Sequence, residues 1–128
     1  MRFSDLQIDK FTMHYLAAAF WSSTDDNDEP FDRNYDFEDL APEALQQAIS
    51  DCTEFQKQAE NALDGAATDF GYDPVEQAGH DFWLTRNGHG AGFWDRGIER
   101  YGDVLSKLAE EFGEVDMYLG DDKNIYFT

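Results

Sequence analysis

The sequence predicts an α+β domain in which three helices pack on an antiparallel sheet of about four strands, formed by two hairpins. Three segments carry apolar residues at helical spacing, and two pairs of β-favouring runs each bracket a glycine- and asparagine-containing turn. The 41% hydrophobic content includes 3 Trp, 6 Tyr and 11 Phe, which suffices for a core. We therefore expect one domain over residues 1–128, with a helical acidic half at 1–79 and a hairpin–helix–hairpin half at 80–128.

The first predicted helix covers residues 5–21. Ser4 and Gln7 have the spacing of a capping box, in which two side chains satisfy the free N–H groups of a helix start. Phe11 and Tyr15 then follow with further apolar residues at intervals of three or four, which places them on one helix face.

The segment 22–39 interrupts the helical pattern with eight acidic residues against a single base, Arg33. Its acidic run at 25–29 lacks the glycine and the terminal glutamate of a calcium-binding EF-hand loop. A solvated loop explains the acidic residues but not the three aromatic residues interleaved with them. Those aromatic residues either anchor a partner or pack the loop against the core.

The second predicted helix covers residues 42–64, with Pro42 in its first turn and an apolar stripe that includes Cys52. Its outer face carries five carboxylates over about 32 Å, a length in which one DNA strand shows about nine phosphates. The helix alone is therefore a poor copy of DNA. Only when the loop 24–39 is added does the density of negative charge become comparable with that of DNA.

The block 80–97 reads HDFWLTRNGHGAGFWDRG and predicts the first hairpin. Its β-favouring ends flank a loop at 87–90, whose residues tolerate the positive φ of a tight turn. The resulting register places Trp83 opposite Trp94, and aromatic pairs of this kind stabilise sheets.

Two helices and a second hairpin are predicted around the block 80–97. A short helix is predicted at 74–78, before the block 80–97, and a third amphipathic helix at 97–112 after it. The last runs, 115–119 and 125–127, predict the second hairpin because a turn rich in glycine, aspartate and asparagine separates them.

The block 80–97 also contains the residue types of a catalytic, metal or anion-binding site. In the predicted hairpin its two histidines lie roughly 20 Å apart, so one metal ion cannot bind both. Its glycines do not follow the GxGxxG pattern of nucleotide loops, and no GK[ST] follows them. We therefore predict no catalytic residue, no metal and no cofactor. The residues kept as an alternative site are His80, Asp81, Arg86, His89, Asp95 and Arg96.

The same block, HDFWLTRNGHGAGFWDRG, resembles one found in small acidic proteins of bacteriophages and other mobile elements, usually labelled uncharacterised. The resemblance is tight over 80–97, weaker over 114–127 and loose over the N-terminal half. It implies no catalytic residues, because none are assigned in that family. It implies a phage-like context and favours inhibitors directed at the host.

The net charge of −19 is unevenly distributed. Residues 1–79 hold 18 acidic and 4 basic residues, or −14, whereas residues 80–128 hold 10 and 5, or −5. Nucleic acids and anionic membranes repel such a chain, so we expect neither to bind it directly and basic proteins to be its partners. Without a signal peptide or an apolar run of eighteen residues, we expect a cytoplasmic protein of the host cell.

These observations favour a phage-type acidic interaction protein, which inhibits a host nucleic-acid-binding defence protein through a negatively charged surface that could mimic DNA. The alternatives are a small enzyme or ligand-binding or metal-binding module built on the block 80–97, a phage accessory or structural protein whose aromatic block is core, and acidity selected by a high-salt habitat. The enzyme is less favoured, and the sequence leaves the oligomeric state open. The candidate partner-binding residues are Asp25, Asp26, Asp28, Glu29, Phe31, Asp32, Tyr35, Asp36, Phe37, Glu38, Asp39, Glu43, Asp51, Glu54 and Glu60.

Overall fold

A computed structural model of the protein describes residues 8–24, 28–66, 74–88 and 99–128. These residues form six α-helices, one 3-10 turn at Phe37–Asp39 and one sheet of two antiparallel strands. The helices are α1 (Lys10–Ser22), α2 (Phe31–Asn34), α3 (Pro42–Gln58), α4 (Glu60–Ala66), α5 (Pro74–Arg86) and α6 (Glu99–Glu111), and the strands are β1 (Met117–Leu119) and β2 (Ile125–Phe127).

The predicted fold of three helices on a four-stranded sheet is wrong, because the described residues are mostly helical and their sheet has two strands. The error lies in the block 80–97, whose first predicted strand forms the C-terminal half of α5. Its second predicted strand, at 93–94, lies outside the described residues. The second hairpin is confirmed, since β1 and β2 pair antiparallel with Tyr118 opposite Tyr126.

Burial explains why α5 does not resemble a helix in sequence. From Gln77 to Arg86 every residue is buried except His80, which is partly exposed. A helix that is covered on nearly all sides has no solvent-exposed face, so its apolar and polar residues need not separate with a period of 3.6. A short apolar run of this kind cannot be distinguished from a buried strand by periodicity.

The other helices differ from their predicted bounds in smaller ways. Helix α1 begins at Lys10, because Asp9 is its N-cap and the Asp9 Oδ1 accepts a hydrogen bond of 2.8 Å from the Thr12 N–H. The predicted capping box at 4–7 lies outside the described residues. The helix predicted over 42–64 is divided between α3 and α4 by Ala59, whose φ of −97° and ψ of 5° depart from helical values.

The C-terminal helices also deviate from prediction by only a few residues. The short helix predicted at 74–78 is the first part of the longer α5. The helix predicted over 97–112 corresponds to α6, and Gly113 follows it with a φ of +78°, as expected of a glycine that ends a helix.

The core is organised around α5, which packs most extensively on α1 and also contacts α6. Phe82 stacks on Phe55 with 4.1 Å between ring centroids, and the rings of Tyr15 and Phe112 each lie 5.2 Å from it. Trp83, the next residue, is also buried. The aromatic residues of the described part of the block therefore form the centre of the core.

The acidic segment is attached to the hairpin through the backbone. The Ala41 N–H donates a 2.9 Å hydrogen bond to the Ile125 carbonyl, and Leu40 forms a β-bridge with Ile125. The segment that leads into α3 therefore lies beside β2.

No helix in the described part of the chain combines the length and apolarity that crossing a membrane requires.

Candidate functional site

Arg86, a candidate anion-binding residue, is buried in the core and makes structural hydrogen bonds there. Its guanidinium donates hydrogen bonds to the Tyr15 hydroxyl and the Asp51 carboxylate, both at 2.9 Å. It also donates to the carbonyls of Gly113 at 2.8 Å and Phe112 at 3.0 Å, just beyond α6. Burial alone would lower the pKa of Arg86, but Tyr15 and Asp51 outweigh it and raise that pKa. Arg86 therefore holds α1, α3 and the end of α6 together.

His80 and Asp81 are adjacent in sequence but differ in exposure. The His80 side chain is about one third exposed and packs against the largely exposed Trp21, whereas Asp81 is fully buried. The His80 Nδ1 lies 3.6 Å from the Asp81 Oδ1. His80 and Arg86 are six residues apart on one helix, so their side chains are about 9 Å apart along its axis and leave it in different directions.

The described residues do not assemble the alternative site at 80–97. Its other members, His89, Asp95 and Arg96, lie outside the described residues. Among residues 8–24, 28–66, 74–88 and 99–128, no three histidine, cysteine or acidic side chains are placed to hold a metal ion. Cys52 is fully buried, and burial raises the pKa of its thiol, which makes it a poor nucleophile.

A polar pocket of about 330 Å³ lies where the end of α1 meets the chain before β1. Two of its polar side chains have structural roles. The Asn87 amide donates to the Trp83 carbonyl and accepts from the Val115 N–H, at 3.0 and 2.9 Å. The Ser22 hydroxyl accepts a 2.7 Å hydrogen bond from the Trp83 indole. These bonds join α5 to both neighbouring segments.

The acidic segment contains both internally bonded and free carboxylates. Glu29 lies 3.8 Å from Arg33 and accepts a 2.7 Å hydrogen bond from Asn34. Asp36 and Asp39 cap the 3-10 turn reciprocally, each accepting a backbone N–H. Among the described residues from 28 to 43, four exposed carboxylates make neither an ion pair nor a capping hydrogen bond; they are Asp28, Asp32, Glu38 and, in the first turn of α3, Glu43. Asp25 and Asp26 lie outside the described residues.

The three aromatic residues of the acidic segment pack inward. Phe31 is fully buried, and its ring lies 5.6 Å from that of Tyr35. Phe37 is partly buried, with its ring 5.1 Å from that of Phe20 on α1. Of the three, only Tyr35 and Phe37 keep part of their side chains accessible.

The outer face of α3 carries little charge. Glu43 and Glu54 are exposed, as is Glu60 on α4, but most exposed positions between them are neutral polar residues. Asp51 is largely covered, because its carboxylate binds Arg86. The exposed charge is therefore concentrated in the segment that precedes α3 rather than spread along the helix.

Sequence reasoning missed the outer face of the hairpin. Tyr118 and Tyr126 stack there with 5.7 Å between ring centroids, and Tyr118 is 43% exposed. The Tyr126 hydroxyl donates a 2.5 Å hydrogen bond to Asp122. That bond, with a smaller contribution from the charge of Glu43, raises the pKa of Tyr126 to about 12. The alternation of the strands was a signal for this outward pair.

The described surface offers recognition by charge and aromatic contact. Its carboxylates and tyrosines can bind cations, whereas the buried guanidinium of Arg86 is occupied by structural hydrogen bonds. Comparisons with protein-family models, with curated proteins and with solved structures found no match for this chain.

Proposed function

We propose that this protein binds the basic surface of a nucleic-acid-binding protein in the host cytoplasm and inhibits that protein by covering the surface. The resemblance of the block 80–97 to proteins of phages and mobile elements supports a host defence component as the target. The net charge of −19 supports a basic partner, because it repels nucleic acids and attracts the proteins that bind them.

The observation that carries the proposal is the concentration of unpaired carboxylates before α3 and in its first turn. Asp28, Asp32, Glu38 and Glu43 are all exposed within sixteen residues, where Arg33 is the one base. Solvated like charges held near one another repel, and a basic partner relieves that repulsion while releasing the ions that screen it. Their arrangement is therefore suited to a cationic surface.

The hairpin extends the same acidic surface. Glu43 lines one pocket with Tyr126, and Asp122 accepts the hydrogen bond of the Tyr126 hydroxyl, so the start of α3 and the hairpin lie close together. Asp121 and Asp122 are exposed in that turn, against Lys123. Because α3 itself has few outer carboxylates, the inhibition we propose depends on this combined surface. It does not require α3 to mimic the phosphates of a DNA strand.

The experiment compares capture of bacterial proteins by the native protein and by a variant with Asp28→Asn, Asp32→Asn and Glu38→Gln. We expect the native protein to retain a basic nucleic-acid-binding protein and to displace DNA from it in a competition assay. The variant should compete at least tenfold more weakly at low salt. The difference should shrink as salt is added, because exposed charges are screened.

A matched control removes three charges elsewhere, with Glu110→Gln, Glu111→Gln and Glu114→Gln, all exposed positions near the end of α6. This control should compete like the native protein. Equal weakening of both variants would show that only the total charge matters. Failure of the native protein to displace DNA from any captured protein at low salt would contradict the proposed function.

A further inference from the structure

A pocket of about 250 Å³ lies between the first turns of α3 and the hairpin. Its lining consists of Glu43, Ala44, Gln47, Tyr118, Tyr126 and Phe127. Pockets that enclose a whole small molecule measure roughly 300–1,000 Å³, so this one is suited to a single inserted side chain.

The chemistry of the lining selects a planar cation. Tyr118 and Tyr126 present stacked rings, and the partly exposed face of such a pair attracts a cation. Glu43 adds an exposed carboxylate at the rim, and Gln47 an exposed amide. A guanidinium group can stack on a ring and also form a forked hydrogen bond to a carboxylate, which the ammonium of lysine cannot do.

The local charge favours the same ligand. Asp122 accepts the hydrogen bond of the Tyr126 hydroxyl and Glu43 lines the same pocket, so two carboxylates lie close to the tyrosine pair. The hydrogen bond from Tyr126 also holds that phenol in a fixed position, which lowers the entropy lost on binding.

We propose that this pocket binds an arginine side chain of the basic partner, with the guanidinium stacked on the tyrosine pair and paired with Glu43. The inference rests on the proposed function and deepens it, because it names the residue type that the acidic surface recognises. The carboxylates of the segment 28–38 attract the partner, and the pocket provides the directional contact. An aromatic contact of this kind is typical of the few residues that dominate an interface.

The test uses the purified full-length protein and two blocked peptides of equal charge, one with four arginines and one with four lysines. Binding is measured by titration calorimetry at low salt, and the contacts are located by NMR. We expect the arginine peptide to bind about fivefold or more tightly than the lysine peptide, and to shift the signals of Tyr118 and Tyr126. Two variants, Glu43→Gln and Tyr118→Leu, should each reduce that preference to near unity.

The matched control is Glu110→Gln, which removes the same charge from an exposed helix position and should keep the preference for arginine. Equal binding of both peptides, or an equal effect of Glu43→Gln and Glu110→Gln, would overturn the proposed arginine site even if the protein still displaced DNA from its partner. A preference for arginine in a protein that displaces no DNA would support the arginine site and refute the inhibitory function. Because Glu43 is exposed, its variant keeps the test valid if Tyr118→Leu fails to fold.

Discussion

Arg86 shows how a charged residue can be used entirely inside this protein. Arg86 is 4% exposed, and its four hydrogen bonds in the described structure join α1, α3 and the residues after α6 to α5. The guanidinium also lies over the rings of Phe82 and Phe112, at 5.5 and 5.7 Å from their centroids. A buried guanidinium is retained only where such partners offset its lost hydration.

We expect Arg86→Met to lower the free energy of unfolding by about 3 kcal/mol, because it leaves Asp51, Tyr15 and two carbonyls without their donor. Urea unfolding followed by tryptophan fluorescence measures the change. Arg33→Met is the control, since Arg33 is exposed and its variant should differ from the native protein by less than about 0.5 kcal/mol. Similar losses for both variants would show that Arg86 has no special role.

Asp9 predicts a pH dependence at the start of α1. Burial raises the pKa of Asp9, but hydrogen bonds from Thr12 and Gln56 outweigh it and hold that pKa below its ordinary value. A carboxyl whose pKa is lowered by folding stabilises the fold above its unfolded pKa, near 3.9. The stabilisation is lost as the pH falls through the folded pKa.

We therefore expect the native protein to exceed Asp9→Asn by up to about 1 kcal/mol at neutral pH, since both residues cap helices but only the carboxylate carries charge. The difference should remain constant down to about pH 5 and disappear towards pH 2. Urea unfolding at a series of pH values tests this, and parallel curves for the two proteins throughout would contradict it.

At the scale of elements, the close approach of α1 and α5 determines the packing of the core. Gly79 of α5 lies against the backbone of α1, where an added Cβ would come within 2.1 Å of the Phe11 carbonyl oxygen. Both contacting groups belong to helix backbones, so a rotamer change cannot relieve the clash. Glycine is required here for space rather than for its backbone freedom.

We expect Gly79→Ala to destabilise the protein by about 2 kcal/mol, although alanine is favoured over glycine in a helix by about 1 kcal/mol. Thermal or urea unfolding gives the sign directly. For comparison, Gly113→Ala has free space but a φ of +78°, and should cost about 1 kcal/mol from backbone strain alone. A more stable Gly79→Ala variant would show that the two helices are not in contact at this point.

At the scale of the whole molecule, repulsion among the acidic groups opposes folding. The chain has 28 acidic residues against 9 lysines and arginines, and within the described residues few of the surface carboxylates are paired. Such repulsion acts over about 30 Å at 0.01 M salt but over about 8 Å at 0.15 M. Salt therefore stabilises the fold over the range in which screening develops.

We expect the melting temperature to rise between 0.01 and about 0.3 M sodium chloride and then to level off. The rise should be smaller for the variant with Asp28→Asn, Asp32→Asn and Glu38→Gln, because it has less charge to screen. Differential scanning calorimetry measures both effects. A rise that continues to molar salt would instead favour a protein adapted to a high-salt habitat.

Elements with a local sequence pattern could be predicted without tertiary information. The periodicity around Phe11 and Tyr15 predicted α1, and the pattern that includes Cys52 predicted α3, because each of these helices has one buried and one exposed face. The two β-favouring runs at 115–119 and 125–127, separated by a turn, likewise predicted the final hairpin. The net charge and its distribution along the chain could also be predicted, because acidic and basic residues are counted without knowledge of tertiary contacts.

The conformation of α5 and the roles of its polar residues, in contrast, depend on tertiary packing. Phe82 and Trp83 favour a strand in isolation, but α1 and α6 pack against the segment and stabilise a buried helix. The same packing directs Arg86 into the core, and it brings Glu43 beside Tyr126, eighty-three positions later in the chain. These outcomes depend on contacts between distant residues, and no local pattern of apolar and polar residues encodes them.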